Sequence, residues 1–141
     1  MADRMIEILD EAECLRLISP GGIGRIAYQG RFGPAVLPVN FKLDDGAILF
    51  RTAGHGPLDE DLDTGIAGAE YRVAFEVDDI DPAARQGWSV LLQGPAHHIQ
   101  PGPEREWALK ADLEPWPEGE RELFVRITPS RITGRRIIPV G

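Results

Sequence analysis

Between Tyr71 and Val77 the side chains alternate strictly, with Tyr71, Val73, Phe75 and Val77 on one side and Arg72, Ala74 and Glu76 on the other. A period of two predicts a half-buried β-strand. Shorter stretches upstream read the same way. Ile23–Gln29 is short and rich in β-branched residues, and Gly30-Arg31-Phe32-Gly33 is a turn. Pro34–Leu43 follows, with Val39, Phe41 and Leu43 on one face and Asn40 and Lys42 on the other. Asp44-Asp45-Gly46 is a hairpin signal, and Ala47–Thr52 returns as the next strand, making an antiparallel meander. Downstream, Asp78–Gln86 reads as an acidic loop containing a proline. Trp88–Ile99 reads as a long strand with a bend or bulge at Gly94-Pro95. Glu122–Thr128 and Arg131–Ile138 form a final strand pair, or one bent strand interrupted at Pro129.

Helical periodicity is scarce. Asp10 is a candidate N-cap, Glu11 and Glu13 suit an acidic first turn, and Leu15, Leu17 and Ile18 supply apolar positions before Ser19-Pro20-Gly21-Gly22 stops the helix. Pro57 at a first helical position, with Leu58 and Leu62 at i, i+4 spacing, predicts a second short helix. Gly102-Pro103 opens a third, running to about Asp112 before Pro115-Trp116-Pro117. The chain therefore reads as mainly β, with two or three short helices and about six or seven strands. A closed or nearly closed antiparallel barrel is the arrangement that leaves few strand edges exposed.

Composition narrows the classes. The 141 residues suit one domain spanning 1–141, large enough to bury a core without a metal or disulfide. Gly (16) and Pro (12) make up a fifth of the chain, too much punctuation for a bundle of long helices. The net charge of −8 argues against a nucleic-acid backbone as partner. No apolar run is long enough to span a membrane, and the stretch MADRMIEILDEAECL lacks the pattern of a signal peptide. One cysteine excludes an internal disulfide. The expectation is a cytoplasmic protein with no membrane or nucleic-acid partner.

Candidate chemistry is sparse. Cys14 falls in the first helix and reads as a small buried hydrophobe. Ser89 and Ser130 lack a nucleophile elbow. His97 and His98, adjacent on a strand, point to opposite faces and are poorly placed for one metal. His55, within Gly54-His55-Gly56, is either a ligand contact or a solvated loop residue. Arg51 and Thr52 end a strand before that glycine-rich stretch, where backbone N–H groups can gather an anion, although Asp59-Glu60-Asp61 oppose it. Trp88 shares a side with Val90 and Leu92, which suits core or interface packing. Arg131, Arg135 and Arg136 form the local basic cluster, able to receive an anionic ligand or a partner's carboxylates.

Several phrases in order resemble the pyridoxamine 5′-phosphate oxidase-like, FMN-binding split-barrel superfamily, in particular its short bacterial flavin-binding and nitroimidazole-resistance-like branch. They are Glu13–Leu17 before Ile23–Ala27, then Pro38-Val39-Asn40-Phe41, Asp45–Thr52, Val73–Asp78 and Gly87–Gly94, together covering about residues 9–100. The resemblance implies a six-stranded antiparallel split β-barrel that pairs as a homodimer and holds FMN at the interface. By position, Pro38, Val39, Asn40 and Phe41 would line the isoalloxazine through the strand backbone. Arg51 and Thr52 would lie beside the flavin ring or phosphate, with His55 a further contact, and Trp88 and Ser89 would fall among the cofactor contacts. The implied function is a flavin-dependent oxidoreductase acting on a small substrate, with no protein acid or base required and no metal.

Where this family commonly carries a Lys or Arg on the FMN phosphate, the chain reads Ala53-Gly54-His55-Gly56-Pro57-Leu58-Asp59, with Pro57 near the cation's place. Two alternatives follow: a deazaflavin-dependent reductase, or a non-catalytic split-barrel binding protein that has lost the cofactor phosphate site. True pyridoxamine phosphate oxidase activity is not expected, because the arginine-rich C-terminal substrate segment is not recognisable.

Overall fold

The computed structural model describes residues 4–53, 71–99 and 122–139, together with Pro103. The helices read from Pro57 onward and from Gly102 to Asp112 lie outside the described residues, Pro103 excepted. In chain order the described elements are β1 (Arg4–Leu9), α1 (Glu11–Ile18), β2 (Gly22–Gly30), β3 (Gly33–Asp44), β4 (Ala47–Ala53), β5 (Tyr71–Asp81), β6 (Gln86–His98), β7 (Glu122–Ile127) and β8 (Arg131–Pro139).

Each pairing is antiparallel, and the sheet runs β1-β8-β6-β5-β2-β3-β4-β7. A further β6–β7 pairing closes β6, β5, β2, β3, β4 and β7 into a six-stranded barrel, leaving β8 and β1 as a flap. Strand β6 makes this possible because it serves two neighbours in succession. Gly87–Gln93 pair with β8, and Ala96–His98 pair with β7. The handover falls at Gly94-Pro95, where the sequence predicts a bend. This is the split, and it settles the C-terminal segment as two strands that pair with β6 and not with each other.

The barrel interior is filled by one alternating face of each strand. Ile26, Phe41, Ile48, Phe50, Phe75, Leu92, Val125 and Ile127 are buried there. Phe75 sits at the centre of an aromatic cluster, edge-on to Phe41 at 5.2 Å and stacked with Phe50 at 6.3 Å between ring centroids. A fully buried Phe is stabilised by about 1.5–3 kcal/mol of apolar transfer, so these rings carry much of the closure.

Local sequence explains the connections. Asp45 and Gly46 both take positive φ (49° and 77°), the backbone twist that matches a two-residue hairpin between β3 and β4. Helix α1 begins as its cap predicts, with the Asp10 carboxylate accepting the Glu13 backbone N–H at 2.8 Å. Cys14 and Ile18, one turn apart, form its buried stripe. Cys14 Sγ packs against Gly134 of β8, where a Cβ would come within 2.5 Å of the sulfur.

Two sequence expectations are corrected. The first element is a strand, β1, ahead of the helix, and its side chains are exposed up to Leu9. The acidic segment after Val77 is not all loop. Strand β5 runs to Asp81 and β6 starts at Gln86, with ladder pairs from Asp78↔Ser89 to Asp81↔Gln86. The turn is short because the Asp81 carboxylate accepts the backbone N–H groups of Ala83 and Ala84 at 3.0 and 3.2 Å.

Candidate functional site

Strands β3 and β4 pair only over their hairpin end, from Asp44↔Ala47 to Phe41↔Phe50. Beyond that point they diverge. Pro38, Val39 and Asn40 stay paired with β2, and Arg51, Thr52 and Ala53 stay paired with β7. A crevice therefore opens between the two strands, and the Gly33–Asn40 edge of β3 has no strand partner there among the described residues. Prolines at 34 and 38 suit this edge, since a proline cannot donate to a second ladder. The open edge offers backbone acceptors and donors to a flat, heteroatom-rich ligand.

The crevice collects Pro38, Val39, Asn40, Phe41, Arg51 and Thr52 of the sequence-predicted site. Side-chain roles divide by alternation. Val39 and Phe41 are buried in the core, so they present only backbone to the crevice. Asn40 and Pro38 face outward. Lys42 pairs with Leu49, so two residues further along each strand Asn40 and Arg51 share the outer side. The Arg51 guanidinium lies 5.3 Å from the centre of the Phe124 ring, its neighbour across the β4–β7 ladder. A cation over an aromatic face is held by about 0.5–1 kcal/mol, and Phe124 is itself buried.

Trp88 and Ser89 are not part of this crevice. They lie on β6, and the intervening β2 and β5 put roughly 14 Å between β6 and β3 at normal strand spacing. Trp88 packs against the core cluster beside Val90 and Leu92. Ser89 faces outward, across from Asp78 of β5 and Arg135 of β8. His55 lies outside the described residues.

Sequence reasoning missed a charged cluster on the outer face of the same sheet. Arg25 Nη1 donates to Glu76 Oε1 at 3.3 Å and stands 3.5 Å from Asp78 Oδ2. Glu76 is pushed up to about 7 from an ordinary 4.5, first by burial and then by the neighbouring Asp78 carboxyl, against the pull of Arg25. Its protonated form is thus favoured by folding. Between pH 4.5 and 7 the folded chain holds a proton that the unfolded chain has released, so this residue's contribution is full below 4.5 and is lost as pH rises through 7. Glu76→Gln should be at least as stable as the parent at pH 8 and gain nothing at pH 5, a difference within about 1 kcal/mol for so exposed a group. Melting temperatures of both proteins at the two pH values check this; a gap that does not change with pH would refute it.

Glu13 is the opposite case. Hydrogen bonds from Arg16 and from Arg136 hold its carboxyl down to about 2. Arg136 reaches it across from β8 at 2.9 Å and stands 3.7 Å from Glu7, tying α1 and β1 to the flap. Burial raises the Cys14 thiol, with the surrounding carboxylates Asp10, Glu13 and Glu11 adding to the shift, which keeps it protonated and unreactive. Among the described residues no group of three or more His, Cys, Asp or Glu could hold a metal ion, and no helix is long and apolar enough to cross a membrane.

Comparison with known proteins places this geometry. A family model described as pyridoxamine 5′-phosphate oxidase matches residues 10–136. An uncharacterized protein of Mycobacterium tuberculosis is 33% identical over 135 residues, covering 96% of this chain and 88% of that one. Among solved structures, the FAD-binding protein of Mycobacterium smegmatis superposes with a TM-score of 0.74 at 33% identity, over 92% of this chain and 98% of that chain. A FAD-binding protein of Mesorhizobium loti shares the fold, with a TM-score of 0.76 at 20% identity over 96% and 99% of the two chains.

Proposed function

Because this chain belongs to the pyridoxamine 5′-phosphate oxidase family, we propose that it binds a flavin nucleotide, with FMN the form expected from the sequence, and works as an oxidoreductase on a small substrate. The observation that carries this reading is the divergence of β3 from β4, which sets the open backbone edge of Pro38–Asn40 opposite Arg51. It is supported by 33% identity to a protein named for FAD binding. The residues fit such a group. The Asn40 amide can donate and accept toward ring heteroatoms, the β3 edge adds backbone groups, and Arg51 brings a positive charge fixed against Phe124. A bound flavin supplies hydride or electron transfer, so the chain's task is binding, orientation and electrostatics.

The protein works as a homodimer. Ile6, Ile8, Ile23, Val36 and Ile80 are exposed, and the ladder registers put all five on the outer side of β1, β2, β3 and β5. Soluble monomers seldom leave so extended an apolar set bare, and a second copy would cover it.

The test is an absorbance scan of freshly purified protein, mass analysis of any released nucleotide, and sedimentation. The expected result is a yellow dimer releasing FMN, with mass analysis separating FMN from FAD. In Arg51→Met, flavin affinity should fall by one to two decades, about 1.5–3 kcal/mol for a lost charge-assisted contact. Colourless protein whose melting temperature responds to neither FMN nor FAD would overturn the reading. A response to a deazaflavin alone would move it to the reductase alternative, and none at all to a non-catalytic barrel.

A further inference from the structure

The apolar outer face carries charge in its midst. Arg25 of β2 and Glu76 and Asp78 of β5 point outward among Ile23, Val36 and Ile80, three of its exposed apolar residues. Ile23 lies two residues before Arg25 and Ile80 two after Asp78, so each shares its strand's outer side with the cluster. Val36 lines the same hollow, of about 250 Å³, as Arg25, Glu76 and Asp78, with Ala74 and Leu91 completing its wall. In the single chain Glu76 and Asp78 keep 36% and 29% of their side-chain surface, so both still have water to lose. A second copy seated on Ile23, Val36 and Ile80 would take much of that water away.

The cluster is unbalanced. The Arg25 guanidinium stands 3.3 Å from Glu76 and 3.5 Å from Asp78, so with both carboxylates ionised one negative charge is left over. Among the described residues no further cation pairs with either acid. On β6, Leu91 lies opposite Glu76 and Ser89 opposite Asp78, and on β3 Pro38 lies opposite Arg25. Arg131 and Arg135 of β8 are two strands from β5, roughly 10 Å, beyond the screening length of about 8 Å at physiological salt. Arg72 is four residues along β5 from Glu76, roughly 13 Å. Burying the excess carboxylate is costly, whereas a proton shared by the two acids removes the excess. Glu76, held up at about 7 by burial and by Asp78, is the member that takes this proton.

We propose that the Arg25, Glu76 and Asp78 cluster makes dimerisation pH-dependent: the second copy docks tightly while Glu76 is protonated and is released as Glu76 ionises. This rests on the homodimer reading and adds its regulation. Lost hydration makes the dimer hold the Glu76 proton to a higher pH than the single chain does. The dissociation constant is therefore flat below about 7 and rises above it. A two-fold interface contains the cluster twice, so association takes up as many as two protons.

Sedimentation velocity of the purified full-length chain, over a dilution series at pH 6 and pH 8.5, measures this. The dimer dissociation constant should rise about tenfold or more between them, against a ceiling of about a hundredfold per pH unit for two protons. Glu76→Gln, a neutral mimic of the protonated acid, should dimerise tightly at both pH values. A general effect of net charge would persist in that variant, because the histidines still titrate. Asp78→Asn, which removes the neighbouring carboxylate, should move the onset of the rise to lower pH. Dilution calorimetry at pH 8, in buffers of different ionisation heat, should show protons released as the dimer parts. A dissociation constant that ignores pH or falls as pH rises would overturn the proposal and leave the dimer standing. So would a Glu76→Gln protein with the parent's pH dependence, or an onset that Asp78→Asn leaves in place. A chain that is monomeric at both pH values would overturn the homodimer reading and the switch with it.

Discussion

Phe75→Ala should lose about 3–5 kcal/mol of folding stability, the range for removing a buried aromatic ring. For a chain of this length that is a fall in melting temperature of about 10 °C or more. The reason is position, not only size. Phe75 is fully buried and touches rings from two other strands, Phe41 on β3 and Phe50 on β4. Those are the two strands that part to form the crevice, so the cluster anchors their hinge. Urea unfolding should show a lower midpoint with an unchanged slope. A loss below 1 kcal/mol would mean that the ring cluster does not govern closure.

A second substitution separates packing from simple loss of area. A Cβ added at Gly24 would lie 2.4 Å from two carbons of the Phe75 ring. The ring is enclosed and cannot swing clear, so Gly24→Ala should be destabilising in the parent protein. With Phe75 already reduced to Ala, the two ring contacts are gone and the same change meets only the Glu76 carbonyl oxygen, at 3.3 Å. The double variant should therefore be more stable than the sum of the single effects implies, the non-additivity expected of residues in contact.

These residues also show what could be read from sequence. Strand β5 was legible because one face meets the core and the other meets solvent, which imposes the period of two. Helix α1 was legible because its cap, acidic first turn and terminal glycines are local signals. Strand β1 was not, because an edge strand with side chains exposed up to Leu9 has no reason to alternate, and its partner β8 lies at the other end of the chain. The acidic run Asp78–Asp81 read as loop because its polarity resembles one, while its pairing depends on β6. The same division holds for the site. Pro38–Phe41, Arg51 and Thr52 were named through resemblance to a family, but the divergence that makes them a crevice is a fact of ladder register. The Arg25, Glu76 and Asp78 cluster joins β2 to β5 across 51 residues from Arg25 to Glu76, and no local pattern could have announced it.

Gly94→Val should be the other severe substitution, costing about 3–5 kcal/mol from overpacking together with lost backbone hydrogen bonds. A Cβ there would lie 2.4 Å from the Thr128 carbonyl oxygen, 2.9 Å from the Ser130 nitrogen and 3.0 Å from the Pro129 Cα. All three are backbone atoms, so no side chain can yield and the β7–β8 connection must move as a whole. That connection is fastened on either side of Gly94, by Thr128 N–H to the Pro95 carbonyl at 3.0 Å and by Ser130 N–H to the Gln93 carbonyl at 2.8 Å. Moving it breaks both bonds and loosens the point where β6 passes from one neighbour to the other. Strand β7 carries Phe124 beneath Arg51. Any Gly94→Val protein that still folds should therefore bind flavin more weakly, as Arg51→Met should without breaking those backbone bonds. Thermal melts and flavin titration of both variants check the pattern. A Gly94→Val protein within 1 kcal/mol of the parent, or one that binds flavin as tightly as the parent, would show that the split does not tie the β7–β8 connection to the crevice.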